Sequence, residues 1–193
     1  MIEKEAARVN AMHERVKGFY KDKYGSEKPY IAKDDRFLLW VHCAFTESFL
    51  EAHLLCKYPI KRGANSYVKE WSESAKPLGL KNSPQSHQEL KGEIDRFLKE
   101  ELFFSKDTEE VIKFILNPPF GFFAKIFFTP LAKSAVRSLS SAERELLHLK
   151  NPGRIWELIA RSNLWLLKKA LGSRPPSQEA AIKRIERLNK ATL

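Results

Sequence analysis

The sequence predicts an all-α protein, a single multi-helix domain around an apolar pocket, and three observations carry that expectation. Apolar residues recur at helical spacing along most of the 193 residues, and no convincing period-2 run appears. Serine followed three residues later by glutamate stands twice ahead of such runs, at Ser86–Glu89 and Ser140–Glu143, the pattern of a reciprocal helix cap. Proline and glycine punctuate the far ends, at Pro59 and Gly63, Pro77 and Gly79, Pro118–Pro119 and "GSRPPS". The length suits one domain, residues 1–193, with room for a sizeable core.

The first helix is expected over residues 3–18, with Val9, Met12 and Val16 on one face and Gly18 near its end. A loop, "KDKYGSEKPYIAKDD", leads to Asp34 or Asp35 as the cap of a long apolar helix. Further helices are expected at about 65–76, from Ser86 to about 103, and from an Asp107 or Thr108 cap to Pro118. A phenylalanine-rich segment then precedes a helix near 129–138, a short helix capped by Ser140, and helices at about 152–171 and 177–190.

Composition narrows the function classes. A hydrophobic fraction of 43% and an aromatic fraction of 11% belong to a folded chain. The net charge of +10 comes from 34 Lys and Arg against 24 Asp and Glu, interleaved along the chain without a basic block or a zinc-finger spacing. That argues against specific nucleic-acid binding and for a solvated surface. The N-terminus has no signal-peptide core, and the richest apolar stretch, broken by lysines and prolines, fails the test for a membrane span. Cys43 and Cys56 lie 13 residues apart in one helix, roughly 20 Å along its axis, too far to bridge. Unbridged thiols suit a reducing, cytoplasmic setting. The segment "PPFGFFAKIFF" suits core packing first, then the lining of a substrate channel, then peripheral docking on a membrane.

The chemistry centres on "FLLWVHCAFTESFL", where His42 interrupts an otherwise apolar run. A helix apolar all round is expected to be buried all round. Leu38, Phe45 and Phe49 share the stripe of His42. A buried imidazole is either satisfied by core hydrogen bonds or ligates a metal. His53 lies 11 residues further on, about 16 Å along the axis, so the two cannot share one ion. One histidine in an apolar aromatic setting is the least that a haem requires, since the porphyrin supplies the other four nitrogens.

"ARVNAMHERVKG", "KPYIAKDDRFLLWVH", "YVKEW", "LGL" and "SPQSHQEL" resemble, in order and spacing, the MpaB/rubber-oxygenase (latex-clearing protein) catalytic-domain family. The resemblance runs from about Ala7 to the "NPP" stretch, more loosely to Leu149, and its most specific piece is "PYIAKDDRFLLWVH". It implies a helical b-type haem protein that uses dioxygen to cleave carbon–carbon double bonds of apolar, isoprenoid substrates. His42 would then be the iron ligand, with Leu38, Phe45 and Phe49 against the haem, and Arg8 and His13 would be catalytic groups beside it. Arg8 would pair with a propionate or act on the bound oxygen, against the alternative of a solvent-facing arginine; His13 is otherwise an edge-of-core residue. Glu70 takes the family's YxxE place, with a structural role or none. His53, His87 and His148 are given no chemistry. The alternatives are a non-catalytic module holding a lipid-like ligand in the same cavity and a basic nucleic-acid binder. Members carry a further apolar helix before the "ARV" segment, whereas here only six residues precede Ala7. Apolar surface beside that segment and His42 is therefore expected to be exposed, covered by a second copy in a homo-oligomer, or covered by the C-terminal helices.

Overall fold

The computed structural model describes residues 2–56, 60–172 and 176–190. Among them are nine α-helices, one 3₁₀ turn and a single two-stranded hairpin, so the all-α expectation holds. The chain groups into two compact units: Met1–Pro118 with Ala135–Asn151, and Pro119–Ser134 with Pro152–Leu193.

In the first unit, α1 (Ile2–Arg15) ends earlier than the periodicity suggested, its last turn closed by the Val16 amide donating to the His13 carbonyl at 3.2 Å. The end of the expected first helix and the start of the expected loop form instead an antiparallel hairpin, β1 (Lys17–Lys21) with β2 (Glu27–Ile31), pairing Lys17 with Ile31 and Phe19 with Pro29. Its turn explains it. Asp22 Oδ1 accepts from the amides of Tyr24 and Ser26 at 3.0 and 2.9 Å, and Gly25 takes the left-handed φ of 81° that the bend needs. Within the two strands only Tyr20 and Tyr30, meeting Phe37 edge-on, are part-buried, so the hairpin carries no apolar alternation to read.

Asp34 caps α2 (Asp35–Leu55), its carboxylate accepting from the Arg36 amide at 2.9 Å. Then come α3 (Gly63–Ser72), the 3₁₀ turn Lys76–Leu78, α4 (His87–Glu100) and α5 (Lys106–Leu116). The Ser86 cap is present, but Glu89 reaches back to the Gln85 amide (2.9 Å) and not to that of Ser86, so only half of the expected box forms. The cap of α5 is Ser105, not Asp107 or Thr108, its hydroxyl accepting from the Thr108 amide. Helix α6 (Phe122–Ser138) begins well before residue 129 and keeps Pro130 inside it. Ser140 and Glu143 form a complete capping box on α7 (Ser141–Leu146). The expected stop at Pro59 lies outside the described residues.

The core of this unit is Cys43 and Leu50 of α2, Val68 of α3, and Leu90 and Ile94 of α4, all nearly or wholly inaccessible to solvent. Helix α2 packs on α4 and α3, α4 also meets α7, and α1 lies against the 3₁₀ turn and β2, where Asn10 Nδ2 donates to the Pro77 carbonyl. Trp40 meets Phe97 with ring centroids 5.2 Å apart, and Arg96 lies over the same ring while pairing with Glu93 and Glu101.

One expectation fails here. Helix α2 is apolar all round but not buried all round: Val41, Phe45 and Phe49 are 47, 54 and 46% exposed. The physical reason is that α3 and α4 seal the side carrying Cys43 and Leu50, while Val41, Phe45 and Phe49 face away from that core.

The second unit holds the front of α6 together with α8 (Ile155–Leu171) and α9 (Pro176–Lys190). Ala160 and Ser134 are buried within the chain, Glu157 pairs with Arg161 at 3.2 Å, and Gly172, at φ 81°, ends α8. No helix among the described residues is long and apolar enough to cross a membrane.

Candidate functional site

Helix α2 holds the site because its buried positions include two groups that are rarely buried, an imidazole and a carboxylate. His42 is 9% exposed, and its Nε2 is buried with no hydrogen-bond partner among the described residues. Burial alone pushes its pKa below the usual 6.5, so at neutral pH the ring is uncharged and keeps a lone pair. An unmade bond at such an atom costs about 1–3 kcal/mol. His13 Nδ1 and His87 Nε2 are also unpartnered, but both residues are only half-buried.

The neighbours of His42 are placed by helix geometry. Thr46, one turn on, donates its hydroxyl to the His42 carbonyl at 2.6 Å, tying the buried face together. Leu38 is half-buried one turn before. Phe45 and Phe49 stack at 6.0 Å with ring planes 18° apart, on the exposed side. From Phe49 the aromatic run continues into α3: Trp71 at 5.3 Å, Tyr67 stacked on Trp71 at 6.1 Å, and His53 edge-on to Tyr67 at 5.6 Å. These side chains, with Ala52 and Cys56, line an open groove of about 420 Å³. Phe49 lies roughly 10 Å along the helix from His42, so the groove starts two turns from the imidazole.

On the opposite side, Glu47 is 7% exposed and accepts a hydrogen bond from Lys91 of α4, while Glu51 lies 3.7 Å from the same ammonium. Burial raises the Glu47 carboxyl above the ordinary range despite Lys91, and the charge of Glu143 adds to the rise. Glu47 and Glu143 edge a small cavity of about 220 Å³ walled by Trp40, Ile94, Leu98 and Leu146.

The residues foreseen on α1 are not drawn to His42. Arg8 is exposed and lies 3.9 Å from Glu5, and no hydrogen bond, ion pair or ring contact joins Arg8 or His13 to His42, Leu38, Phe45 or Phe49 among the described residues. Glu70 is also exposed, 3.9 Å from Arg62. Sequence reasoning overlooked Glu47, read Tyr67 and Trp71 only as part of the "YVKEW" motif, and gave no role to His53, which lines the groove. The signal for Glu47 was there: a carboxylate five residues after His42, the one charged residue between Arg36 and Glu51.

As chemistry, a buried, uncharged and unpartnered imidazole nitrogen suits a metal whose other ligands come from a macrocycle. No three His, Cys, Asp or Glu side chains are grouped to hold an ion themselves among the described residues. The exposed Phe45 and Phe49 rings add a flat apolar wall on the same stripe. Comparison with known proteins adds one finding. The sequence model of a family described as "ER-bound oxygenase mpaB/B'/Rubber oxygenase, catalytic domain" matches residues 2–182. No curated protein and no solved structure matches the chain.

Proposed function

The chain belongs to the mpaB/rubber oxygenase catalytic-domain family, and on that premise we propose that it is a haem b-dependent oxygenase acting with dioxygen on an apolar, isoprenoid-like substrate. The observation that carries the proposal is the unpartnered, buried Nε2 of His42 at the end of the "WVH" stretch. Bound there, a haem would supply iron for the activation of dioxygen.

The protein's own part is binding and exclusion of water. His42 would hold the metal through the Nε2 lone pair, which burial keeps available by disfavouring protonation. Leu38, Phe45 and Phe49 would supply apolar contact to the macrocycle. Covering Phe45 and Phe49 in this way would remove from water two large side chains now about half exposed, a gain of roughly 1 kcal/mol or more for each. The groove from Phe49 to Cys56, with Trp71 and Tyr67 as its walls, is assigned to the substrate's hydrocarbon chain; it has no charged lining residue to oppose that. Arg8 is assigned to a propionate carboxylate, since its present partner Glu5 is distant and exposed. His13, with an unpartnered Nδ1, is assigned to proton handling near the same edge.

Titration of the purified protein with hemin tests the proposal. A Soret band should saturate near one equivalent, and His42→Ala should abolish it while far-UV circular dichroism is unchanged. Absence of saturable binding would end the oxygenase reading. The same groove then favours the alternative, a non-catalytic module for a lipid-like ligand, which binding of a fluorescent fatty acid would reveal.

A further inference from the structure

The two units share the chain's charge unequally. Pro119–Ser134 and Pro152–Leu193 hold eleven Lys and Arg against three Glu, a net +8 of the chain's +10, in 58 of its 193 residues. Lys and Arg are thus spread along the chain as expected, but 21 of the 24 Asp and Glu interleaved with them lie in the other unit. The same unit exposes its apolar side chains at the front of α6. Phe122 and Phe123 are 74 and 79% exposed, and Ile126 and Phe127 are about half exposed. Spaced at i, i+1, i+4 and i+5, these four lie on one side of the helix, with exposed Lys125 at its flank. The pattern continues in α8, where exposed Trp165, Leu166 and Leu167 run straight into Lys168 and Lys169. In α9, exposed Ile185 stands among Lys183, Arg184 and Arg187.

We infer that the front of α6 docks on an anionic lipid bilayer, seating Phe122, Phe123, Ile126 and Phe127 among the acyl chains while the cationic charge of its unit holds the headgroups. Contiguous exposed apolar side chains of this size mark an interaction surface. Helices that lie in a membrane interface combine such a face with Lys and Arg beside it, and basic groups near an anionic leaflet are attracted to it. A second copy of the chain fits less well, because it would bring one +8 unit against another. A nucleic acid offers the anionic charge but no apolar medium for four large side chains. Among the described residues no helix, α6 included, is long and apolar enough to cross a bilayer, so α6 would lie at its surface. The inference is independent of any cofactor at His42.

Co-sedimentation of the full chain with vesicles provides the test, comparing phosphatidylcholine alone with phosphatidylcholine plus phosphatidylserine across a salt series. Binding is expected to the anionic vesicles, to weaken as salt rises, and to fall about tenfold or more in the double variant Phe122→Ser/Phe123→Ser. Both side chains are exposed, so the variant should keep its circular dichroism and melting temperature. In the unaltered protein, vesicles should also slow hydrogen exchange across residues 120–128. No binding to anionic vesicles, equal binding by the double variant, or unchanged exchange would overturn the inference. So would tighter binding to duplex RNA at the same salt, or a dimer that the double substitution dissolves.

Discussion

Helix α2 and the front of α6 are alike on paper: each is a run of large apolar residues with few charges and no clean polar face. Their fates differ. In α2, Cys43, Thr46, Glu47 and Leu50 are sealed against α3 and α4, and only one side is left open. Along Gly121–Phe127 every residue is exposed. An apolar helix thus states that something must cover it and leaves open what that is. Polar groups hint at the answer. The charge inside α2 is a carboxylate matched by Lys91 on a neighbouring helix, a sign of an intramolecular partner. The charge at the front of α6 is Lys125, which no ion pair engages among the described residues, within a unit that is overwhelmingly cationic.

The sharpest way to break this comparison is truncation. Leu50→Ala should cost about 2–5 kcal/mol of stability, since Leu50 is wholly buried in the α2–α3–α4 core. Chemical denaturation monitored by circular dichroism measures it, and a loss below about 1 kcal/mol would mean that this core is not the main source of stability.

A smaller effect comes from His42. Its folded-state pKa is depressed below 6.5, so its contribution to the cofactor-free protein is complete above pH 6.5 and is lost as pH falls through the depressed value. Glu47 has the opposite sign: with a raised folded pKa, it favours the fold at low pH and loses that advantage as pH rises above the ordinary 4.5. Comparing the unaltered protein with His42→Asn cancels the Glu47 contribution. The difference in denaturation midpoint should change with pH below 6.5 and level off above it. A difference independent of pH would show that burial does not control this imidazole.

The smallest effect belongs to α6. Phe123→Ser in the absence of lipid should shift stability by no more than about 0.5 kcal/mol, by the same denaturation measurement. A loss comparable to that of Leu50→Ala would show that the front of α6 is covered within the molecule.

Local signals account for what the sequence revealed of the fold. Asp34, Ser86 and Ser140 were legible as caps because each side chain satisfies amides within a few residues of itself. The family signature was legible for the same reason, as a spacing of residues. The hairpin from Lys17 to Ile31 was not, because its order depends on Asp22 closing a turn and not on apolar alternation. The start of α6 was misplaced because Pro130 reads as a helix breaker, yet the helix runs through it. At the site, His42 was correctly singled out as a buried histidine, and its stripe neighbours followed from period alone. Which faces of α2 meet a neighbour could not be read, since that depends on helices 20 to 50 residues away in the chain.

Cys43 sits beside His42 and is wholly inaccessible, with its thiol pushed up to about 12 by burial and by the nearby charge of Glu93. Since the thiolate is the reactive form, only about one molecule in 10⁵ would carry it at pH 7. An oxygen-using site would generate oxidants within reach of sulfur, and this sulfur is held in the form that reacts with them least. Its silence also makes it a stopwatch. Any alkylation of Cys43 in the native protein must wait for the packing of α2 against α4 to open, so the labelling rate reports how often that contact parts.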